Sequence, residues 1–256
     1  MSSVEPLRTL VAVLLLVAIT LVTLGIAGVR MRVDALVAIT RAAVQLVVVA
    51  LVIAWVFRHP EGAVLYLFVM VVAATVTSGR RIRCGYRLMA GLGVAIAVGA
   101  AVAVIPVLAS GALALDSRTI VPFTAQIVGG SMTAVSLTGA RLRDDIAHDW
   151  DEIEGWLALG ASPRQAVTGL GRVAISRALI PSVDQTRSAG LVTLPGAFVG
   201  LLLGGASPAE AAAIQLLVLA GLIAAGTVAA GTVAATITAY HLAPWLGSVK
   251  PVVVDR

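Results

Sequence analysis

The sequence predicts an all-α polytopic membrane protein with about seven transmembrane helices. Composition is the first reason: 59% of the 256 residues are hydrophobic and 12% are charged, with a mean hydropathy of +1.02. Soluble domains carry about 25% charged residues, so this chain is suited to lipid. The second reason is a series of apolar runs of about 20 residues, the length that crosses the hydrocarbon core. The third is the placement of the basic residues.

The apolar runs give seven candidate spans separated by short polar segments. The predicted spans are 7–29, 35–57, 62–78, 88–109, 120–138, 191–205 and 211–240. The sixth span is short and contains Pro195-Gly196, which would free backbone carbonyl groups inside the membrane. No water-soluble domain fits between the spans, so we expect residues 1–256 to form one transmembrane domain.

Basic residues are unevenly distributed over the loops that these spans define. With the N-terminus outside, fourteen of the 18 basic residues fall on the inner side and three on the outer side. Cytoplasmic loops of membrane proteins are enriched in arginine and lysine, so the pattern predicts an N-out, C-in topology. It also explains the net charge of +5 without a nucleic-acid partner.

A polar segment at about residues 140–188 is the only long stretch outside the predicted spans. Apolar residues recur in its first half at helical spacing, and Gly160 is suited to end that helix. Ser162, Pro163 and Gln165 then form the pattern of a helix start, with an N-cap, a first-turn proline and a capping box. The segment is therefore predicted to be a cytoplasmic helical hairpin with a sharp break.

Conventional ATP hydrolysis is excluded for this chain by its lysine content. A P-loop needs a lysine after a glycine-rich stretch, and the only lysine, Lys250, precedes Pro251. No nucleotide cofactor is expected in the chain itself. The three histidines and the single cysteine, Cys84, are not arranged as metal ligands, so the sequence assigns no metal site.

Two polar residues within the spans are candidates for a translocation path. Arg41 and Gln45 are four residues apart, so they share one helix face. A charged side chain in a membrane usually faces a cavity or a partner, although Arg41 can also extend to the inner interface. Thr193, Pro195 and Gly196 join them as candidates because they interrupt the sixth span.

Several blocks of the sequence resemble a known family. The segment from Glu154 through Gly160 to Ile180-Pro181 resembles the EAA-type loop of ABC transporter permeases. The fuller resemblance, over about residues 35–240, is to the FetB family of iron-export permeases, whose plant relatives are linked to aluminium tolerance. The blocks that carry it are Arg41-Ala42, Gln45-Leu46, Leu159-Gly160-Ala161-Ser162-Pro163, Ile180-Pro181-Ser182-Val183-Asp184 and Gly190-Leu191-Val192-Thr193-Leu194-Pro195-Gly196.

This resemblance implies a permease subunit of an ABC transporter in the plasma (inner) membrane, and not an enzyme. A separate ATPase subunit would bind ATP, and the permease would act as a homodimer in the lipid bilayer. Iron or another metal would be exported. The implied coupling residues are Glu154, Gly160, Ala161, Ser162, Pro163 and Gln165. Asp184 joins the candidates for the translocation path.

Two other functions remain open from the sequence. One is a secondary carrier that works without ATP, for which the EAA-like segment would have no use. The other is an intramembrane serine protease, with Ser131 as nucleophile and His241 as base, because a serine nucleophile needs a base within hydrogen-bond reach. The predicted position of His241 at the end of the last span makes this second alternative a poor fit.

Overall fold

A computed structural model describes residues 4–246, with side chains for residues 7–240. This part of the chain is helical apart from one isolated bridge between Ala189 and Thr193. Its helices are α1 (Val4–Ile26), α2 (Arg32–Val56), α3 (Gly62–Ile82), α4 (Tyr86–Ala109), α5 (Ser117–His148), α6 (Trp150–Ala158), α7 (Pro163–Ser188), α8 (Gly196–Leu203) and α9 (Pro208–Leu246). The basic residues Lys250 and Arg256 and the side chain of His241 lie outside the described part.

The described residues contain six helices that are long and apolar enough to cross a membrane, namely α1 to α5 and α9. The prediction of a seventh apolar span at 191–205 is wrong. Only Gly196–Leu203 of that stretch is helical, and eight residues rise about 12 Å, less than half of the roughly 30 Å hydrocarbon core. The polytopic all-α fold itself is confirmed.

The chain divides into two compact units, Met1–Pro60 and Glu61–Arg256. The first unit is a hairpin of α1 and α2, which turns at Gly28 with a positive φ of 67°. The second contains α3 to α9 and the packed core. A single domain over residues 1–256 stays a prediction.

Helix directions in the second unit follow from close contacts at glycines. Gly91 of α4 faces Thr236 of α9, and Gly99 faces Ala225, so these two helices are antiparallel. Gly130 of α5 faces Leu222 and Gly139 faces Ile237, so α5 and α9 are parallel. The starts of α5 and α9 therefore lie at one end of this unit.

The opposite end of the second unit collects basic residues from several elements. Arg80, Arg81, Arg83 and Arg87 flank the α3–α4 turn, and Arg143 of α5 donates to the carbonyl oxygen of Ile82 at 2.6 Å. This bond caps the C-terminus of α3, where carbonyl groups lack helical partners. Clustering of these arginines supports the predicted cytoplasmic side, which stays a prediction because no membrane is present.

Cys84 lies in the same α3–α4 turn. Burial raises the pKa of its thiol, although a backbone hydrogen bond and the charge of Arg143 act in the opposite direction. Because the thiolate is the reactive form, this thiol is a weak nucleophile at neutral pH.

The polar segment at 140–188 differs from its predicted form at its start. Helix α5 continues past the predicted span end at 138 to His148, and α7 continues through Pro181 to Ser188. The extension of α5 has a packing reason, because Leu142 and Ile146 are buried in the core of the unit. The turn between α6 and α7 has the predicted form, a sharp break between two helices.

Candidate functional site

The turn between α6 and α7 has the local structure that the sequence predicts. Gly160 adopts a φ of +89°, which L-residues rarely adopt, and ends α6. Ser162 Oγ then accepts from the backbone N–H of Gln165 at 3.4 Å, and Gln165 Oε1 accepts from the N–H of Ser162 at 2.8 Å. With Pro163 in the first position of α7, this is a complete capping box. The turn is therefore held rigid by its own residues.

We expect Ser162→Ala to loosen the start of α7, because it removes the acceptor for the Gln165 N–H. Loss of an N-cap costs about 1 kcal/mol, so amide hydrogen exchange over residues 163–168 should speed up about fivefold. The matched control is Thr168→Ala, since the Thr168 hydroxyl bonds only to the Arg164 carbonyl within the same helix. Equal exchange in the two variants would contradict the capping role.

The surface around this turn is apolar and open. Trp156 is 51% exposed and Leu159 is 84% exposed. Together with Gly160, Ala161 and Gln165 they line a shallow cavity of about 400 Å³. Glu154 lies on the exposed side of the same short helix α6. Exposed aromatic and aliphatic side chains rimmed by polar groups are typical of a protein-docking surface.

Helix α7 runs antiparallel to α9 for most of its length. Its first residues share a groove with Thr238 and Ala239, and Leu179 Cδ2 lies 3.2 Å from where a Cβ on Gly226 would be. Its C-terminal neighbour Ala189 shares a cavity with Leu219. The stretch of α9 from 219 to 239 rises about 30 Å, the thickness of the hydrocarbon core. Helix α7 therefore crosses the bundle beside α9, although its charged composition is not typical of such a helix.

Charged residues of α7 lie along this passage on exposed positions. They are Arg172, Arg177, Asp184 and Arg187. Asp184 Oδ1 accepts from Arg187 Nη1 at 3.4 Å. Each arginine at the centre of a lipid-facing helix would cost about 2.5–3.5 kcal/mol, so this face is unsuited to lipid. The sequence-based assignment of Arg172, Arg177 and Arg187 to the cytoplasmic side stays a prediction.

A tight turn at residues 188–195 separates α7 from α8. The N–H groups of Val192 and Thr193 both donate to the Ser188 carbonyl, and the Ser188 and Thr193 hydroxyls are 3.2 Å apart. Gly190 adopts a φ of +83°. Pro195 precedes α8, and Gly196 is its first residue. The turn therefore interrupts the helical chain between α7 and α8. Membrane proteins tolerate such an interruption where it is buried or lines a cavity.

One polar residue beside this turn was not among the site residues predicted from the sequence. Gln215 of α9 is 6% exposed, and its Oε1 has no hydrogen-bond partner within the described residues. It lines a cavity of about 290 Å³ with Gly190, Leu194 and Pro195. An isolated glutamine in the apolar run of α9 was the available signal.

Arg41 and Gln45, the other path candidates, are exposed on α2 in the first unit. Their role stays a prediction. Ser131, the nucleophile of the protease alternative, is fully buried, and its Oγ has no hydrogen-bond partner among the described residues. It lies 3.2 Å from where a Cβ on Gly99 would be, so it packs against α4.

The six helices that are long and apolar enough to cross a membrane define the described part of the chain as a polytopic membrane protein. The family model described as "Uncharacterised protein family (UPF0014)" matches residues 7–242. The chain belongs to this family of membrane proteins.

Named relatives of this family include plant and bacterial proteins. The chain is 35% identical over 197 residues to "UPF0014 membrane protein STAR2" of Oryza sativa subsp. japonica, covering 73% of this chain and 66% of the rice protein. It is 33% identical over 228 residues to "Protein ALUMINUM SENSITIVE 3" of Arabidopsis thaliana, covering 84% and 78%. It is 29% identical over 187 residues to "Probable iron export permease protein FetB" of Escherichia coli (strain K12), covering 72% of each chain. No solved structure matches the chain.

Proposed function

We propose that this chain is the membrane subunit of an ABC transporter in the plasma membrane. Two copies would form the permease, and a separate ATPase subunit would bind ATP and drive transport. The observation that carries the proposal is the rigid, exposed turn at Gly160–Gln165, which lies at the basic end of the bundle. A docking element on that side is where a cytoplasmic ATPase would reach it.

We propose that six residues of this rigid turn and of α6 couple the chain to the ATPase. They are Glu154, Gly160, Ala161, Ser162, Pro163 and Gln165. Because α7 starts at this turn and continues along α9, a push on the turn would act directly on a helix of the passage. Within the second unit, the translocation path is proposed to include Asp184, Thr193, Pro195 and Gly196. Arg41 and Gln45 of α2 stay path candidates within the first unit.

Metal export enters the proposal through the E. coli relative, whose name includes iron export. Groups of three or more His, Cys, Asp or Glu side chains that could hold a metal ion are absent from the described residues. The cargo is therefore proposed from the relative and not from a ligand set.

Co-purification tests the ATPase partner. The tagged chain, extracted from its own cell membrane in mild detergent, should retain an ABC ATPase, and ATP should drive transport once the complex is in vesicles. We expect omission of the ATPase to reduce transport of iron at least tenfold. Full transport by the chain alone would instead establish a secondary carrier.

A further inference from the structure

We propose that the exposed face of α7 lines an aqueous path across the membrane that favours anions over cations. This face consists of Arg172, Ser176, Arg177, Asp184 and Arg187 and is called the α7 face below. The inference rests on the proposed transport function and names the charge class of the solute. No residue of this face except Asp184 belongs to the translocation candidates given above.

The depth of Arg177 in the bundle is the first step. Arg177 is two residues before Leu179, which lies against Gly226 of α9. Gly99, near the middle of the apolar helix α4, lies against Ala225 and Ala229. Gly226 lies between these two alanines along α9. Arg177 is therefore level with the centre of a helix that spans the membrane.

The exposure of the α7 face is the second step. Its opposite side, with Ala174 and Ala178, is buried against the bundle, so the charged side cannot turn inward. Arg172 and Arg177 make no ion pair with any described residue. Guanidinium groups at this depth need water, a counter-ion or a solute as partner.

The sign of the charge is the third step. The α7 face carries three arginines and one aspartate, and that aspartate pairs with Arg187. Rings or rows of arginine in a membrane path favour anions and repel cations. A bare divalent cation is therefore a poor fit, and a metal that crosses along this face would do so as an anionic complex.

The test uses charged thiol reagents as probes in the full-length protein. In a Cys84→Ser background, Ser176→Cys places a thiol on the α7 face without removing an arginine. Val98→Cys, 41% exposed on the apolar helix α4, is the matched control. The anionic and cationic probes are sulfonatoethyl and trimethylammonioethyl methanethiosulfonate, and each rate is divided by that for a small free thiol.

We expect residue 176 to react with the anionic reagent roughly tenfold faster than with the cationic reagent, because the neighbouring arginines concentrate anions. Residue 98 should react with neither. Adding Arg177→Gln should reduce the preference for the anionic reagent, and Arg172→Gln provides a second variant if the first does not fold.

Three results would overturn the proposal. The first is no reaction at residue 176, which indicates that the α7 face is covered by lipid or by another copy of the chain. The others are a preference for the cationic reagent, and a preference for the anionic reagent that neither arginine variant changes. Labelling needs no ATPase, so it tests the aqueous path even if no ATPase co-purifies with the chain. Conversely, a chain that binds the ATPase but is not labelled at residue 176 would reject the aqueous path and leave the proposed transporter function in place.

Discussion

Gly160→Trp is expected to abolish ATP-driven transport and binding of the ATPase subunit while the helical bundle stays folded. Gly160 has a φ of +89°, and a side chain in the left-handed region costs about 1–2 kcal/mol. Apart from the two chain neighbours of Gly160, no described residue places an atom within 4 Å of its Cβ position. The indole would therefore cover the docking surface beside Trp156 and Leu159 without disturbing the core.

Gly111→Trp is the matched control for this prediction. Gly111 has a φ of +69° and equally open surroundings, but it lies in the α4–α5 loop at the opposite end of the bundle. Both variants should reach the membrane in normal amounts. Retention of the ATPase on the tagged permease and ATP-dependent uptake into inverted vesicles are the measurements, and we expect at least a tenfold loss for Gly160→Trp alone. Full coupling in that variant would reject the docking role of the turn.

Local interactions made the α6–α7 turn predictable from the sequence. Ser162, Pro163 and Gln165 act within four residues of one another, and Gly160 acts on its own backbone, so the pattern determines the structure without help from the rest of the fold. The apolar helices were equally accessible, because their length and composition alone identify them.

The passage of α7 through the bundle could not be predicted in this way. Its four arginines have the composition of a cytoplasmic helix, and the positive-inside rule assigned them accordingly. What places α7 beside α9 is long-range packing, in which Ala174 and Ala178 are buried and Leu179 lies against Gly226. Small residues every four positions on a charged helix indicate close packing against another helix, but they do not identify which helix that is.

The apolar stretch at 191–205 was predicted as a span for a related reason. Hydropathy identifies residues that tolerate lipid but does not report whether they form one helix. Gly190 and Pro195 bring a tight turn into this stretch, and only the eight residues of α8 are helical. An apolar run that contains a turn therefore resembles a span by composition, although its helix is too short to cross the hydrocarbon core.

Gly99→Leu is expected to prevent stable packing of the second unit. A Cβ on Gly99 would lie 2.7 Å from the Ala225 carbonyl oxygen and 2.7 Å from Ala229 Cβ, closer than packed atoms approach. One added methyl group in such a contact costs about 1–3 kcal/mol, and the rest of the leucine side chain has no space between α4 and α9. The folded yield in detergent and the temperature at which the protein aggregates should both fall sharply.

Gly129→Leu on α5 provides the control, because no described residue apart from its chain neighbours and the backbone of its own helix places an atom within 4 Å of the Cβ position there. Its yield and aggregation temperature should stay close to those of the unchanged chain. The comparison also bears on the α7 face, because the crossing of α4 and α9 at Gly99 sets the level of Arg177 at the middle of the bundle. If Gly99→Leu folded as well as Gly129→Leu, the two helices would not cross closely at Gly99, and the central position of Arg177 would have to be abandoned with it.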